Sequence, residues 1–192
     1  MDEALAIARM KDGDIAGLAE LVRSYQVRAL RAAYLVTRDR GMAEDVVQVA
    51  FLRAYQRIGQ FDATRPFGPW FLRSVVNAAV QAANQRSRIV PLEPGGTGER
   101  EAAETTLADQ APGPDLHWEA VETREELWAA LGQLTPRQRE AVVLRYYLNL
   151  NEAEMARQLE CPPGTVKSRL SAARTRLRSL LRPTFRQEEL IP

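Results

Sequence analysis

Residues 151–170 read Asn-Glu-Ala-Glu-Met-Ala-Arg-Gln-Leu-Glu-Cys-Pro-Pro-Gly-Thr-Val-Lys-Ser-Arg-Leu, and this stretch decides the fold of the C-terminal part of the chain. Asn151 can cap a helix, and Glu154, three residues later, completes a capping box. The two prolines end that short helix and open another, because proline fits only the first turn of a helix. The second helix runs from about Gly164 to Leu181. A short helix, a tight turn and a longer basic helix predict a helix-turn-helix.

One face of the final helix carries cations and hydroxyls. These side chains recur at helical spacing or crowd the first turns: Lys167, Ser171, Arg174 and Arg178, with Thr165, Ser168 and Arg169. In a helix-turn-helix the first turns of the second helix enter the major groove, where cations pair with guanine and hydroxyls serve any base or phosphate. A basic surface helix without a DNA role is the common alternative. The capped short helix, the turn and the basic helix together favour duplex DNA.

The helix before this motif also has a marked beginning. Thr135 can cap it, Pro136 takes the first helical position and Gln138 completes a capping box. A helix is therefore predicted through Leu148. Arg137, in its first turn, could hold a phosphate through its charge and the free backbone N–H groups there.

Helical periodicity also fills the N-terminal part of the chain. A first helix is predicted from Asp14, its cap, to about Thr37, and a second lies between turns at Gly41 and Gly59. A third follows, with Gly68 as cap and a proline at its first position. The alternation that is typical of strands is absent from the sequence. The predicted fold class is all-α.

The second of these helices has an unusual outer face. Asp45, Gln48, Val49 and Leu52 share the spacing i, i+3, i+4, i+7, so an acid, an amide and two aliphatic side chains lie on one side. This composition suits the docking of a partner helix. A solvated face with one stray leucine is the alternative from the pattern alone.

The third helix combines an aromatic ring, cations and amides on a face without acids. Its members are Trp70, Arg73, Asn77, Gln81, Asn84 and Arg88, and the loop Phe61-Asp-Ala-Thr-Arg65 precedes them. Aromatic rings stack on splayed bases and arginines follow phosphates, so the face suits single-stranded nucleic acid. Taken alone, a tryptophan at a helix start is more often a core anchor.

The formal net charge of +1 is an average over segments of opposite sign. Residues 61–88 carry a formal charge of +3 and residues 131–182 carry +6, whereas residues 89–130 carry −8. The first part of this acidic segment is rich in proline and glycine. Such composition is typical of a linker. Four segments are therefore predicted: a helical domain over 1–88, an acidic linker over 89–118, a helix-turn-helix domain over 119–182 and a tail over 183–192. An acidic linker could also mask the basic final helix in the free chain.

Several classes of protein are disfavoured by the composition. Cys161 is the only cysteine and His117 the only histidine, so we expect neither a disulfide framework nor a zinc site, and no cofactor. A glycine-rich phosphate loop after a strand is missing, and the carboxylates concentrate in the linker, so no enzyme is expected. The first residues lack the pattern of a signal peptide, and no apolar run approaches the ~20 residues of a membrane span. A cytoplasmic protein is predicted.

Two parts of the chain resemble bacterial RNA polymerase sigma factors. Residues 43–55, Ala-Glu-Asp-Val-Val-Gln-Val-Ala-Phe-Leu-Arg-Ala-Tyr, with residues 66–73, Pro-Phe-Gly-Pro-Trp-Phe-Leu-Arg, resemble sigma region 2. Residues 134–140, Leu-Thr-Pro-Arg-Gln-Arg-Glu, and 163–170, Pro-Gly-Thr-Val-Lys-Ser-Arg-Leu, resemble region 4. These two regions alone, joined by a short linker, are the layout of the extracytoplasmic-function (ECF) group.

The resemblance implies partners and site residues. Core RNA polymerase would be bound through Asp45, Gln48, Val49 and Leu52, although Val49 stands where the family usually has an acid. The non-template strand of the minus-ten element would be bound by Phe61, Asp62, Ala63, Trp70, Arg73, Asn77 and Gln81. The minus-thirty-five element would be read as duplex by Arg137, Thr165, Lys167, Ser168, Arg169, Ser171 and Arg174. The resemblance also implies a possible anti-sigma partner.

Two other functions stay open from the residues. A helix-turn-helix regulator would bind duplex DNA without polymerase, as a dimer on paired half-sites, and would leave the face around Trp70 unexplained. A helical adaptor would bind only protein and would not need Lys167 or Arg169. The sigma interpretation accounts for all three faces.

Overall fold

A computed structural model of the protein describes residues 2–89 and 125–181. The predicted linker, apart from its first residue, and the predicted tail lie outside these residues. The chain divides into two compact units, Met1–Glu93 and Pro94–Pro192. Every regular element in the described ranges is helical, which confirms the prediction of an all-α protein built from two small helical bodies.

The first unit contains four helices. They are α1 (Glu3–Lys11), α2 (Ile15–Thr37), α3 (Arg40–Arg57) and α4 (Phe67–Ile89), with a 3-10 turn, Ile58–Gln60, after α3. Asp2, Asp14 and Asp39 cap the first three helices through their carboxylates, as short acidic side chains do before a helix. The sequence predicted α2, α3 and α4, and it missed α1.

Aromatic side chains of α3 and α4 form part of the core of the first unit. Phe51, Phe67 and Phe71 pack together, with ring centroids 4.3 Å apart between Phe51 and Phe71 and 5.4 Å between Phe67 and Phe71. The helical spacing of the apolar residues that begin with Ile15 predicts that Ile15 is buried in the core, but this prediction is wrong, because Ile15 is 67% exposed.

The second unit is built from short helices. A helix occupies 125–132 (α5), and α6 (Pro136–Val142) runs into one π-helical turn, Val143–Tyr147. They are followed by α7 (Glu152–Gln158) and α8 (Pro163–Leu180). Both predicted capping boxes are present, at Thr135 with Gln138 and at Asn151 with Glu154. The predicted helix through Leu148 is therefore part α-helix and part π-helix.

The turn between α7 and α8 is tight. Glu160 adopts a left-handed conformation with φ of 48°, and the Cys161 N–H donates to the Ala156 carbonyl over 3.1 Å. On the opposite side from the cations and hydroxyls, α8 buries Val166, Leu170, Ala173 and Leu177. The helix-turn-helix predicted from the sequence is thus α7, this turn and α8.

The described ranges contain neither a membrane-spanning helix nor a cluster of metal-binding side chains. No helix in 2–89 or 125–181 has the length and the apolar character that a membrane crossing requires. The same residues contain no group of three or more His, Cys, Asp or Glu side chains placed to hold a metal ion.

Candidate nucleic-acid interface

A groove lies between α3 and α4 on the surface of the first unit. It has a volume of about 240 Å³ and is lined by Ala50, Arg53, Ala54, Arg57, Trp70, Ser74, Asn77, Ala78 and Gln81. Three residues that the sequence predicted for minus-ten DNA, Trp70, Asn77 and Gln81, are thus brought together. The groove offers an aromatic ring, two amides and a hydroxyl beside two cations, and so it is suited to a nucleic-acid strand.

Sequence reasoning missed the contribution of α3 to this groove. Arg53 and Arg57 are exposed and lie four residues apart, so they form one basic edge along it. The signal was present as an i, i+4 pair of arginines, but only the packing of α3 on α4 shows what it faces. Arg73, in contrast, does not line the groove, and its Nε is buried without an acceptor among the described residues.

Trp70 serves the core and the groove at once. Its ring centroid lies 4.9 Å from that of Phe61 and 5.4 Å from that of Phe67, and the residue is half-buried. The Trp70 ring therefore packs against the core, as a core anchor does, and also lines the groove, as a stacking platform would.

The loop before α4 corrects one expectation. Phe61 is only 5% exposed and packs edge-on against Phe67, with ring centroids 5.6 Å apart, so in this structure it anchors the loop and does not present its ring to DNA. Asp62 and Ala63 are exposed. The exposed tip of the loop therefore begins at Asp62.

The tip is ordered by its own hydrogen bonds. The Thr64 hydroxyl and backbone N–H donate to Asp62 Oδ1 over 2.7 and 3.0 Å, and Arg65 Nε lies 3.3 Å from Oδ2. The Thr64 bonds, aided by the charges of Arg65 and Lys11, hold the pKa of Asp62 below its usual value. Asp62 is therefore an ionised acceptor that shapes the turn.

The outer face of α3 is exposed as predicted. Asp45 and Gln48 are exposed, and the two aliphatic side chains beside them, Val49 and Leu52, are 41% and 51% exposed. An apolar pair left open beside an acid and an amide has the composition of a docking site for a helix.

On α8 the structure separates the predicted DNA contacts into two groups. Lys167, Ser168 and Ser171 are exposed, and Thr165 and Arg174 are partly exposed. Arg169 instead has its Nη1 buried without an acceptor among the described residues. Its charge acts on Glu140 of α6, so Arg169 belongs at least in part to the packing of α8 on α6.

Glu140 is a buried carboxylate at that packing contact. Its side chain is 3% exposed, and Arg137 Nη1 donates to its Oε2 over 3.3 Å. Burial raises the pKa of Glu140, while the charges of Arg137 and Arg169 oppose the rise. Arg137, at 55% exposed, keeps part of its guanidinium available to a phosphate.

Two helical units, one with an exposed basic helix-turn-helix and one with a basic groove, define a two-domain helical DNA-binding protein. Comparison with known families identifies it further. The family model described as Sigma-70 region 2 matches residues 21–89, and the model described as Sigma-70, region 4 matches residues 124–177.

Curated relatives span nearly the whole chain. RNA polymerase sigma-H factor of Pseudomonas aeruginosa is 30% identical over 185 residues, which are 94% of this chain and 94% of that protein. ECF RNA polymerase sigma factor SigW of Bacillus subtilis is 29% identical over 178 residues, 92% of this chain and 95% of SigW. ECF RNA polymerase sigma-E factor of Escherichia coli is 28% identical over 190 residues, 97% of this chain and 98% of that protein.

Solved structures share the fold. CnrH, solved in complex with the cytosolic domain of CnrY, has a TM-score of 0.58 at 21% identity and covers 93% of this chain and 96% of its own. The sigma factor RpoE of Bartonella quintana, solved with the anti-sigma factor NepR, has a TM-score of 0.58 at 24% identity, over 84% of this chain and 96% of its own. The chain belongs to the ECF group of the sigma-70 family, which confirms the resemblance seen in the sequence.

Proposed function

We propose that this protein is a sigma factor, a transcription initiation factor that binds core RNA polymerase and directs it to specific promoters. The observation that carries the proposal is the match of regions 2 and 4, in order, to two helical units with exposed binding faces. The first unit takes core polymerase and the minus-ten element, and the second takes the minus-thirty-five element. Such a protein acts where the polymerase acts, in the cytoplasm.

The minus-thirty-five element is bound as duplex by α8. Lys167, Ser168 and Ser171 are exposed on its first turns and reach base edges and phosphates in the major groove. Thr165 lies at the helix start, and Arg174 continues the same face one turn beyond Ser171. Arg137 adds a phosphate contact from the first turn of α6.

The non-template strand of the minus-ten element follows the groove and the loop. Trp70 offers one side of its ring to a base, and Asn77 and Gln81 offer amides to base edges. Arg53 and Arg57 hold phosphates along the opposite edge. Asp62 and Ala63, at the exposed tip, form the rim against which a splayed base rests.

Core polymerase is bound by the outer face of α3. Val49 and Leu52 supply exposed apolar area, and Asp45 and Gln48 supply an acid and an amide for a partner helix. Two structural relatives were solved with NepR, an anti-sigma factor, and with the cytosolic domain of CnrY. We propose that an anti-sigma factor also binds the present protein and competes with core polymerase for the outer face of α3.

In vitro transcription with core polymerase on genomic fragments tests the proposal. The expected result is a small set of discrete start sites that core alone does not give, with shared sequence elements upstream. Non-specific transcripts only, as from core alone, contradict it.

A helix-turn-helix regulator, the other candidate, is distinguished by tight, specific duplex binding of the isolated chain without polymerase. A helical adaptor that binds only protein would keep its activity after Lys167 and Arg169 are both substituted by Ala.

A further inference from the structure

Helix α1 holds the loop before α4 from one side. It lies before residue 21, where the match to the region 2 model begins. At its C-terminal end, Lys11 Nζ donates to the Phe61 carbonyl over 3.0 Å, fifty residues away along the chain. The charge of Lys11 also acts on Asp62 at the tip of the loop. The backbone is thereby fixed at the point where the loop leaves the core.

The N-terminal end of α1 fixes the other end of the loop. Glu3 Oε1 accepts a hydrogen bond from the Phe67 N–H over 3.1 Å. Phe67 is the first residue of α4, so this N–H has no partner within the helix, and a carboxylate there also complements the positive end of the helix dipole. Glu3 thus caps α4 from a helix sixty-four residues earlier. The prediction that Gly68 is the cap is wrong, because Gly68 is already inside α4.

The carboxylate of Glu3 is itself held in place. Its Oε2 accepts a hydrogen bond from the Tyr25 hydroxyl of α2. Burial of the phenol, together with Glu3, raises the pKa of Tyr25 to about 12, so Tyr25 keeps the proton that it donates. Gly68 allows the close approach, because a Cβ at that position would lie 2.7 Å from the Tyr25 ring.

The position of α1 on the rest of the unit is equally constrained. A Cβ at Gly17 would lie 2.3 Å from the Ala6 carbonyl oxygen, so α1 and α2 touch backbone to backbone. Ile7 and Met10, both on α1, are buried. The Tyr55 hydroxyl donates to the Gly13 carbonyl over 3.1 Å. Helix α1 is therefore fixed in position, and its two end residues, Glu3 and Lys11, bind the two ends of the loop before α4.

We propose that α1 is a brace for minus-ten recognition, with Lys11 and Glu3 as positioning residues. They hold the exposed tip, residues 62–66, and the start of α4 at a fixed separation, so that the tip and Trp70 face the strand together. The inference rests on the proposed function and deepens it. Positioning of this kind affects affinity because a preorganised loop loses less conformational entropy on binding.

The test uses holoenzyme made with core polymerase and a promoter mapped as above. Two variants break the brace, Lys11→Met and Glu3→Ala. Lys11→Arg keeps a donor for the Phe61 carbonyl, and Glu3→Gln keeps an acceptor oxygen for the Phe67 N–H while its amide NH2 donates to the Tyr25 hydroxyl. Arg9→Ala is the matched control, because Arg9 pairs with Glu20 over 3.0 Å between α1 and α2 without reaching the loop. The affinity for a single-stranded minus-ten oligonucleotide is measured by fluorescence anisotropy. The affinity for a minus-thirty-five duplex is measured beside it.

Lys11→Met and Glu3→Ala are expected to weaken oligonucleotide binding about three- to tenfold, the range of one or two lost hydrogen bonds. Duplex binding should not change, and Lys11→Arg, Glu3→Gln and Arg9→Ala should bind the oligonucleotide as the wild type does. Equal oligonucleotide affinity for Lys11→Met and Arg9→Ala overturns the proposal. Should Glu3→Ala fail to fold, Lys11→Met decides alone, because the Lys11 side chain is exposed.

Failure of the brace and failure of the proposed function give different results. If the wild-type holoenzyme starts at discrete promoters while the brace variants bind like the control, only the brace is wrong. If the wild-type holoenzyme has no promoter specificity, the proposed function itself is wrong, and the loop has no minus-ten strand to bind.

Discussion

Arg174 of α8 donates a hydrogen bond from Nε to the Tyr146 hydroxyl over 2.8 Å, and its guanidinium carbon lies 5.8 Å from the centroid of the Tyr146 ring. The π-helical turn after α6 therefore holds a cation of α8 in place. Nε is occupied by the phenol, and the two terminal nitrogens of the guanidinium are left for a phosphate. Tyr146 is 41% exposed, so substitution there does not open the core.

The first prediction concerns this pair. Tyr146→Phe keeps the ring and removes the acceptor, so the binding of minus-thirty-five duplex by the holoenzyme should weaken about two- to tenfold, as expected for one hydrogen bond of about 0.5–1.5 kcal/mol. A double-mutant cycle with Arg174→Ala is the check. Tyr146 acts through Arg174 only if Tyr146→Phe has no further effect in the Arg174→Ala background.

The second prediction concerns Lys167. Lys167→Ala should weaken minus-thirty-five duplex binding and reduce the salt slope of log K by about one, because one phosphate contact releases about one counterion. Arg176→Ala is the matched control, since Arg176 is exposed and lies nine residues along α8, on the opposite side of the helix. Equal salt slopes for the two variants would place Lys167 away from the DNA.

The third prediction concerns the outer face of α3. Leu52 is 51% exposed, so Leu52→Ala should leave folding unchanged and weaken the affinity for core polymerase by about 1–2 kcal/mol, a factor of about 5–30. Val27→Ala is the control, because Val27 is 46% exposed on α2. Competition between labelled and unlabelled protein for core polymerase gives the affinities. Equal losses for both variants would contradict a docking site on α3.

The fourth prediction concerns the seat of α1. Gly17→Ala adds a methyl group 2.3 Å from one backbone atom and 2.9 Å from another, the Ala6 oxygen and the Met10 nitrogen. Neither atom can move without shifting α1, so the first unit should lose about 1–3 kcal/mol of stability. Gly41→Ala meets only an ordinary contact at 3.6 Å and should be nearly neutral. Denaturant unfolding of both variants measures the difference, and an unchanged midpoint for Gly17→Ala would show that α1 can be displaced freely.

The fifth prediction concerns the pH dependence of the second unit. Burial holds the pKa of Glu140 above its usual value, so the folded state binds a proton more tightly than the unfolded state does. The contribution of Glu140 to stability is then largest below the unfolded pKa and falls as pH rises through the folded pKa. Glu140→Gln removes this titration. Calorimetry of both proteins from about pH 4 to about pH 7 should show the wild type losing stability relative to Glu140→Gln as pH rises; a constant difference would contradict the raised pKa.

Much of the fold could be predicted because its signals are local. Thr135 with Gln138 and Asn151 with Glu154 mark two helix starts within four residues, and each box is present in the structure. The exposed face of α3 could be predicted for the same reason, since helical spacing alone decides which side chains share a side. Helix α1 was missed although Asp2 caps it, because its nine residues are too few to show a clear period.

The sequence by itself determined that the protein is all-helical, where most helices begin, and which side chains can share a face. Only the tertiary structure decided which of those side chains stay exposed and which lie together. It buried Phe61, turned part of Arg169 toward Glu140, placed Arg53 and Arg57 beside Trp70, and brought Lys11 and Glu3 to the two ends of one loop. Helix caps and periods act over a few residues, whereas the last two contacts join residues fifty and sixty-four positions apart, which only the packing of helices brings together.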